Sequence, residues 1–261
     1  MMRALSIAAT GMQAQQTNVE VISNNIANVS TTGFKRSIAE FQDLLYQSSS
    51  RVGTASSEQG TIVPTGSQIG LGVRSSGITR VLTQGSLTET DNPLNVAING
   101  RGYFGIQLPS GDIGYTRDGT FSYSSTGQIV TSEGYPVEPS ITVNPTATGV
   151  TINQAGQVIE TLPGGKQNTV GQLQLYQFPN EAGLSALGGN NFAKTDASGD
   201  PVRGLPSDPG FGALQQGYLE SSNVNVVTEM TSLIQAQRAY ELNSKVIQAA
   251  DQMLQTTNQV R

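Results

Sequence analysis

The sequence predicts a discontinuous α+β protein: long N- and C-terminal helices forming a coiled-coil-like α domain, with a mainly antiparallel β domain between them. Three observations carry this prediction. Apolar residues at both ends recur at heptad spacing, and the middle alternates with period two between closely spaced turn signals. Uncharged polar residues also replace much of the usual charge. Ser, Thr, Asn and Gln number 93 of 261 residues, while Asp, Glu, Lys and Arg make up only 13%, against about 25% in a typical domain.

The first helix is expected over residues 3–28. Leu5, Ala8, Met12, Gln15, Val19, Ile22 and Ile26 follow alternating steps of three and four, a seam of period 3.5 with a single polar member. At about 1.5 Å per residue this is a rod of about 39 Å. Gly11 weakens it by roughly 1 kcal/mol relative to Ala. Asn24, Asn25 and Asn28 crowd its end, and Gly33 permits a sharp exit.

A connecting region follows at 34–72, and its stretch near 46–68 is rich in Ser, Gly and Thr, a linker-like composition. Residues 73–209 are expected to form the β domain. Ile78 to Leu82, Tyr103 to Leu108 and Gln172 to Phe178 alternate, and Asn99-Gly100, Asp118-Gly119, Thr126-Gly127 and Glu133-Gly134 punctuate them. Turns at intervals of about 8–12 residues suggest a sandwich or an irregular barrel.

A second connecting region, 210–221, leads to the last helix. Asn225 is placed to cap it, and Leu233, Tyr240, Ile247 and Leu254 recur every seventh residue behind Val226 and Met230. A second apolar row runs through Ala239, Leu242, Val246, Ala249 and Met253. Glu241 and Lys245 are spaced for an i,i+4 pair on the opposite, polar face. Two apolar rows on one long helix call for more than one neighbour. The terminal-helix domain therefore comprises 1–33 and 222–261.

Composition removes many functions. The chain has no Cys, His or Trp, which excludes thiolate and Ser-His catalysis and zinc sites built on sulfur or nitrogen. A net charge of −5 with 14 basic residues argues against a nucleic-acid ligand. Gly100-Arg101-Gly102 joins two β runs, so it reads as a hairpin or strand kink and not as a dinucleotide loop. Asp196 to Asp200 lacks the distal Glu of a calcium loop. The β-region carboxylates, such as Asp91, Asp112, Asp118, Glu133 and Glu138, fall mostly in turns. No catalytic, cofactor or metal residue is assigned.

The stretch from Ser23 to Arg36, with Asn24, Asn25, Asn28, Gly33 and Phe34, closely resembles the N-terminal motif of bacterial flagellar rod and hook proteins. Gly85 to Phe104, Tyr115 to Thr131, and Glu220 to Lys245 resemble later segments of the same family in the same order. Length favours a rod subunit over the longer hook subunit, and the segment near 46–68 resembles a distal-rod insertion that would stiffen the shaft. The resemblance implies a non-enzymatic subunit of the distal rod, without a cofactor. It would polymerise into a helical tube that transmits torque and forms part of the export channel. The implied partners are further copies of itself, proximal rod proteins, the hook protein, the P- and L-ring proteins and the flagellar type III export apparatus, with no nucleic acid.

The implied location is the basal body, in a rod spanning the periplasm. The short apolar start at Met1 to Ala9 passes into Gln13, Gln15 and Gln16 without a cleavage site, so export without a cleaved signal peptide is expected. The expected assembly surface is Leu5, Met12, Val19, Ile22, Ile26, Val226, Met230, Leu233, Tyr240, Ile247 and Leu254. A proximal-rod or hook subunit is the alternative within the family. Outside it, the alternative is a secreted β protein binding glycan or a surface, disfavoured by an aromatic content of 6%.

Overall fold

The computed structural model describes residues 2–50 and 66–259, which fall into two compact units. One unit comprises residues 1–26, 37–79 and 225–261; the other comprises 27–36 and 80–224.

The first unit holds both long helices. Helix α1 spans Met2–Ala27, within one residue of the expected 3–28, and α2 spans Val226–Gln259, beginning directly after the expected cap at Asn225. Asn225 caps α2 as expected, its Oδ1 accepting the Thr228 N–H at 3.2 Å. The two helices run antiparallel, as two contacts show. Asn25 Nδ2 donates to Glu229 Oε2 at 3.2 Å, and two heptads away a methyl group on Gly11 would lie 2.9 Å from Asn243 Nδ2. The same heptad position on α2 holds Ala236 and Ala250, both buried. Small and polar residues at this seam let the helices approach closely. The Glu241–Lys245 pair does not form among the described residues, in keeping with how little an exposed ion pair gains.

Two ribbons complete this unit. Strand Ser37–Asp43 pairs with Val73–Arg80, and Tyr46–Ser50 pairs antiparallel with Ser67–Gly70. Strand structure thus begins in the stretch whose composition suggested a connecting linker. Its backbone pairing does not depend on apolar side chains, which is why hydropathy alone missed it. Most of the 46–68 insertion, residues 51–65, lies outside the described residues. Thr10 of α1 accepts the Val73 N–H at 3.4 Å, seating the ribbon on the helix.

The second unit is built on a seven-stranded sheet. Its order is Ser185–Gly188, Asn191–Ala193, Ile113–Thr116, Tyr103–Gln107, Leu175–Gln177 and Val202–Gly204, with Val137–Glu138 sharing the edge of Tyr103–Gln107. A three-stranded meander, Gly149–Ile152, Gln157–Thr161 and Gln167–Gln172, accompanies it. Three ribbons join them: Phe121–Tyr123 with Ile129–Thr131, Val96–Asn99 with Ala213–Gln216, and Leu87–Glu89 with Tyr218–Glu220.

Strand alternation gives the central sheet two buried faces. Phe104, Ile106 and Leu175 point into an aliphatic core with Val96, Ile98, Phe121, Val158 and Leu173. Their neighbours Tyr103 and Tyr176 point the other way, into an aromatic core with Tyr115, Phe178 and Leu184. Tyr115 meets Phe178 edge to face at 4.7 Å. Both faces are therefore covered, so residues of either parity on Tyr103–Gln107 and Leu175–Gln177 are buried.

Candidate functional site

The Asn-rich end of α1 works through its carboxamides. Asn25 is buried; its Oδ1 accepts the Ser37 N–H and its Nδ2 donates to the Ser37 carbonyl, both at 2.8 Å. One side chain therefore pairs with the ribbon as a strand neighbour would while also reaching Glu229 of α2. Asn24 is exposed. Asn28 accepts the Thr31 hydroxyl at 3.1 Å, closing the turn that follows the helix.

Gly33 has φ +68° and packs so tightly that a Cβ would lie 3.1 Å from the Arg117 backbone. Only glycine meets both demands at no cost. Its N–H donates to the Glu220 carbonyl at 2.8 Å. Phe34 is half-buried, and its carbonyl accepts the Asn223 N–H at 3.4 Å.

This loop ends on a buried ionic triad. Lys35 Nζ contacts Glu220 Oε1 at 2.5 Å, and Arg117 Nε contacts Glu220 Oε2 at 2.7 Å. Both cations bond backbone carbonyls as well. Lys35 also donates to the Thr83 carbonyl at 2.9 Å, and Arg117 donates to the carbonyls of Gly102 and Gly100 at 3.0 and 2.6 Å. The Gly85 N–H completes the Glu220 shell at 2.9 Å.

Burial pushes the Glu220 carboxyl up, but Arg117 and Lys35 more than offset it and hold the group below its ordinary value. Burial likewise lowers the Lys35 ammonium, with Glu220 opposing. The three charges pair with one another and with backbone carbonyls, so the triad joins segments 33–36, 83–85, 100–117 and 220. Gly100 and Gly102 join two strands with φ +120° and +134°; Val96–Asn99 pairs with Ala213–Gln216 and Tyr103–Gln107 with other strands, so Gly-Arg-Gly is a strand kink and not the hairpin that was the other expectation.

Asn223 adds a second clip. Its Oδ1 accepts the Arg36 N–H at 2.7 Å, and its Nδ2 donates to the Val81 and Thr83 carbonyls at 2.9 and 3.0 Å. Sequence reasoning did not single out Lys35, Arg117, Glu220 or Asn223. Each lies inside a stretch that carried the resemblance, which was the available signal.

The expected assembly residues divide by exposure. Ile22 is buried within the chain; Leu5, Met12, Val19, Ile26, Leu233, Ile247 and Leu254 are half-buried. Val226, Met230 and Tyr240 are exposed. They are joined by large apolar side chains from outside that set: Val227 at 77% exposure, Leu242 at 62%, and Ile234, Val246 and Met253 near half.

Three family models match this chain. Residues 5–35 match "Flagella basal body rod protein", 97–160 match "Flagellar hook protein FlgE/F/G D1 domain", and 215–260 match "Flagellar basal body rod FlgEFG protein C-terminal". The chain is 57% identical over 261 residues to the flagellar basal-body rod protein FlgG of Caulobacter vibrioides, covering all of both chains. It is 52% identical to the protein of that name from Agrobacterium fabrum, covering 97% of each. With that of Bacillus subtilis it shares 38% identity, over 98% of this chain and 97% of the relative.

Proposed function

The chain belongs to the flagellar basal-body rod proteins, as an FlgG-like structural subunit of the rod, and from that premise we propose that it polymerises through its terminal helices into the tubular distal rod. That tube would carry torque from the motor to the hook and form part of the export channel. Neighbouring copies, proximal rod proteins and the hook protein are its proposed contacts along the shaft. The P- and L-ring proteins are proposed around it, in the periplasm, after export through the flagellar type III apparatus without signal cleavage.

One observation carries this reading: the apolar face that α2 leaves uncovered. Val227, Met230, Ile234, Leu242, Val246 and Met253 are each at least 46% exposed along a 34-residue helix. A helix of that length spans about 51 Å. A surface of this kind marks an interaction site, and a contact that does not close on itself builds a filament. A groove lined by Gln16, Val19, Gln237 and Tyr240 adds a second receptive surface. The coiled-coil character expected of the terminal helices fits this reading, with the antiparallel pair of one copy flanked by pairs of others.

The purified chain should assemble into straight tubes visible by negative-stain microscopy, and Ile234→Asp should abolish them. Tubes of unchanged yield from that variant would sink the helix-mediated reading.

A further inference from the structure

The chain crosses between its two compact units four times, after residues 26, 36, 79 and 224. The segments that make these crossings inside the β unit are 27–36, the start of 80–224 and its end. All converge on two side chains. The Asn223 carboxamide bonds Arg36, Val81 and Thr83, one atom set reaching beside three of the four crossings. Glu220 holds Lys35, Gly85 and Arg117 through its carboxylate, and Gly33 through its carbonyl. Lys35 then returns to Thr83. Packing here is backbone against backbone: a Cβ on Gly85 would collide with the Ser221 carbonyl, and one on Gly33 would press on Arg117.

Hydrogen bonds loaded one at a time fail one at a time, whereas bonds sharing a single rigid hub must fail together. The Glu220 carboxylate is buried and held at once by Lys35, Arg117 and the Gly85 N–H, which fixes the hub. We propose that Asn223 and Glu220 form a mechanical clamp that ties the chain crossings together, so that force entering the β unit along any one connector is shared among all of them. The proposal rests on the rod reading, since a subunit of a torque-bearing shaft is where such sharing matters. Asn223 and Glu220 would then be the residues that position the connectors under load.

The chain contains no cysteine, so paired cysteines can carry pulling handles. One handle belongs at Lys166→Cys, in an exposed turn of the β unit, and the other at either Val227→Cys or Glu40→Cys, both exposed. These pairs load the connector after 224 and the connector after 79 respectively, each being the crossing that lies along the chain between its two handles. In single-molecule pulls on the full monomeric chain, Asn223→Ala should shorten the lifetime to first rupture by about tenfold or more in both geometries. Glu220→Gln should do the same. The exposed Lys194–Asp200 pair supplies the control, and Lys194→Ala should change neither lifetime.

A shorter lifetime in the Val227 pull alone would make Asn223 a local brace and overturn the shared clamp. Lifetimes no shorter than the control would overturn it too. Should Glu220→Gln fail to fold, Asn223→Ala decides alone, because the half-buried connector groups it frees can bond water. The pulls need no polymer, so their failure leaves the rod reading to stand or fall on tube formation.

Discussion

Gly11 of α1 faces Asn243 of α2 so closely that a methyl group on the glycine would sit 2.9 Å from the Asn243 Nδ2. The obstacle is the movable end of a side chain, so the two effects of Gly11→Ala oppose each other. Alanine gains about 1 kcal/mol of helix propensity, and displacing the carboxamide costs a similar amount. Gly11→Ala should leave helix melting by circular dichroism nearly unchanged. Added to Asn243→Ala, it should stabilise by about 1 kcal/mol relative to Asn243→Ala alone. A bulkier Gly11→Leu should destabilise, as overpacking costs about 1–3 kcal/mol.

Acid should act on the β unit through Glu220. The folded carboxyl ionises at a lower pH than it does in the unfolded chain. The unfolded chain therefore binds more protons as pH falls. The stabilisation is complete above the ordinary value of 4.5 and is lost as pH drops through the lowered folded value. At pH 7, Glu220→Gln leaves Lys35 and Arg117 buried without their anion and should cost about 3–5 kcal/mol in urea melts. The gap between wild type and variant should narrow below pH 4.5. A constant gap across that range would contradict the assignment.

The outer and inner sides of α2 should separate by mutation. Ile234→Asp and Leu242→Asp change exposed positions and should leave the monomer's melting unchanged while stopping assembly. Each forfeits about 1.5–3 kcal/mol of burial per contact, repeated along the polymer. Leu233→Asp falls on a half-buried position and should lower both. Sedimentation velocity with differential scanning calorimetry on the three variants distinguishes them.

Gly85→Ala should destabilise the β unit by more than about 3 kcal/mol, because its Cβ would meet the Ser221 carbonyl, a backbone atom that cannot rotate away. Gly77→Ala, with nothing near its Cβ, should be neutral or slightly stabilising in the same melts.

Both helices were legible in the sequence because heptad spacing survives without knowledge of partners. The strands of the β unit were legible in kind, from turns and alternation, though not in their pairing. What hydropathy could not reveal is which helix row faces inward. The seam between α1 and α2 is marked by Gly11, Ala236, Asn243 and Ala250, small or polar residues that no apolar pattern flags, while large apolar residues such as Leu242 stay outside. The triad was invisible for a different reason. Lys35, Arg117 and Glu220 look like ordinary surface charges until residues 185 and 103 positions apart are brought together.

That separation governs the order in which the molecule can become complete. A chain emerging from its N-terminus presents Lys35 early, but the anion that holds it arrives only with residue 220, followed by little more than α2. Until then the loop at 27–36 is held by its bonds to Val81, Thr83 and Asn190, and α1 lacks the Glu229 contact that Asn25 makes. Closing so long a loop is entropically slow. The folded subunit is therefore a late product of chain delivery, and a partly delivered chain holds its first helix by the Ser37 and Val73 contacts, without α2.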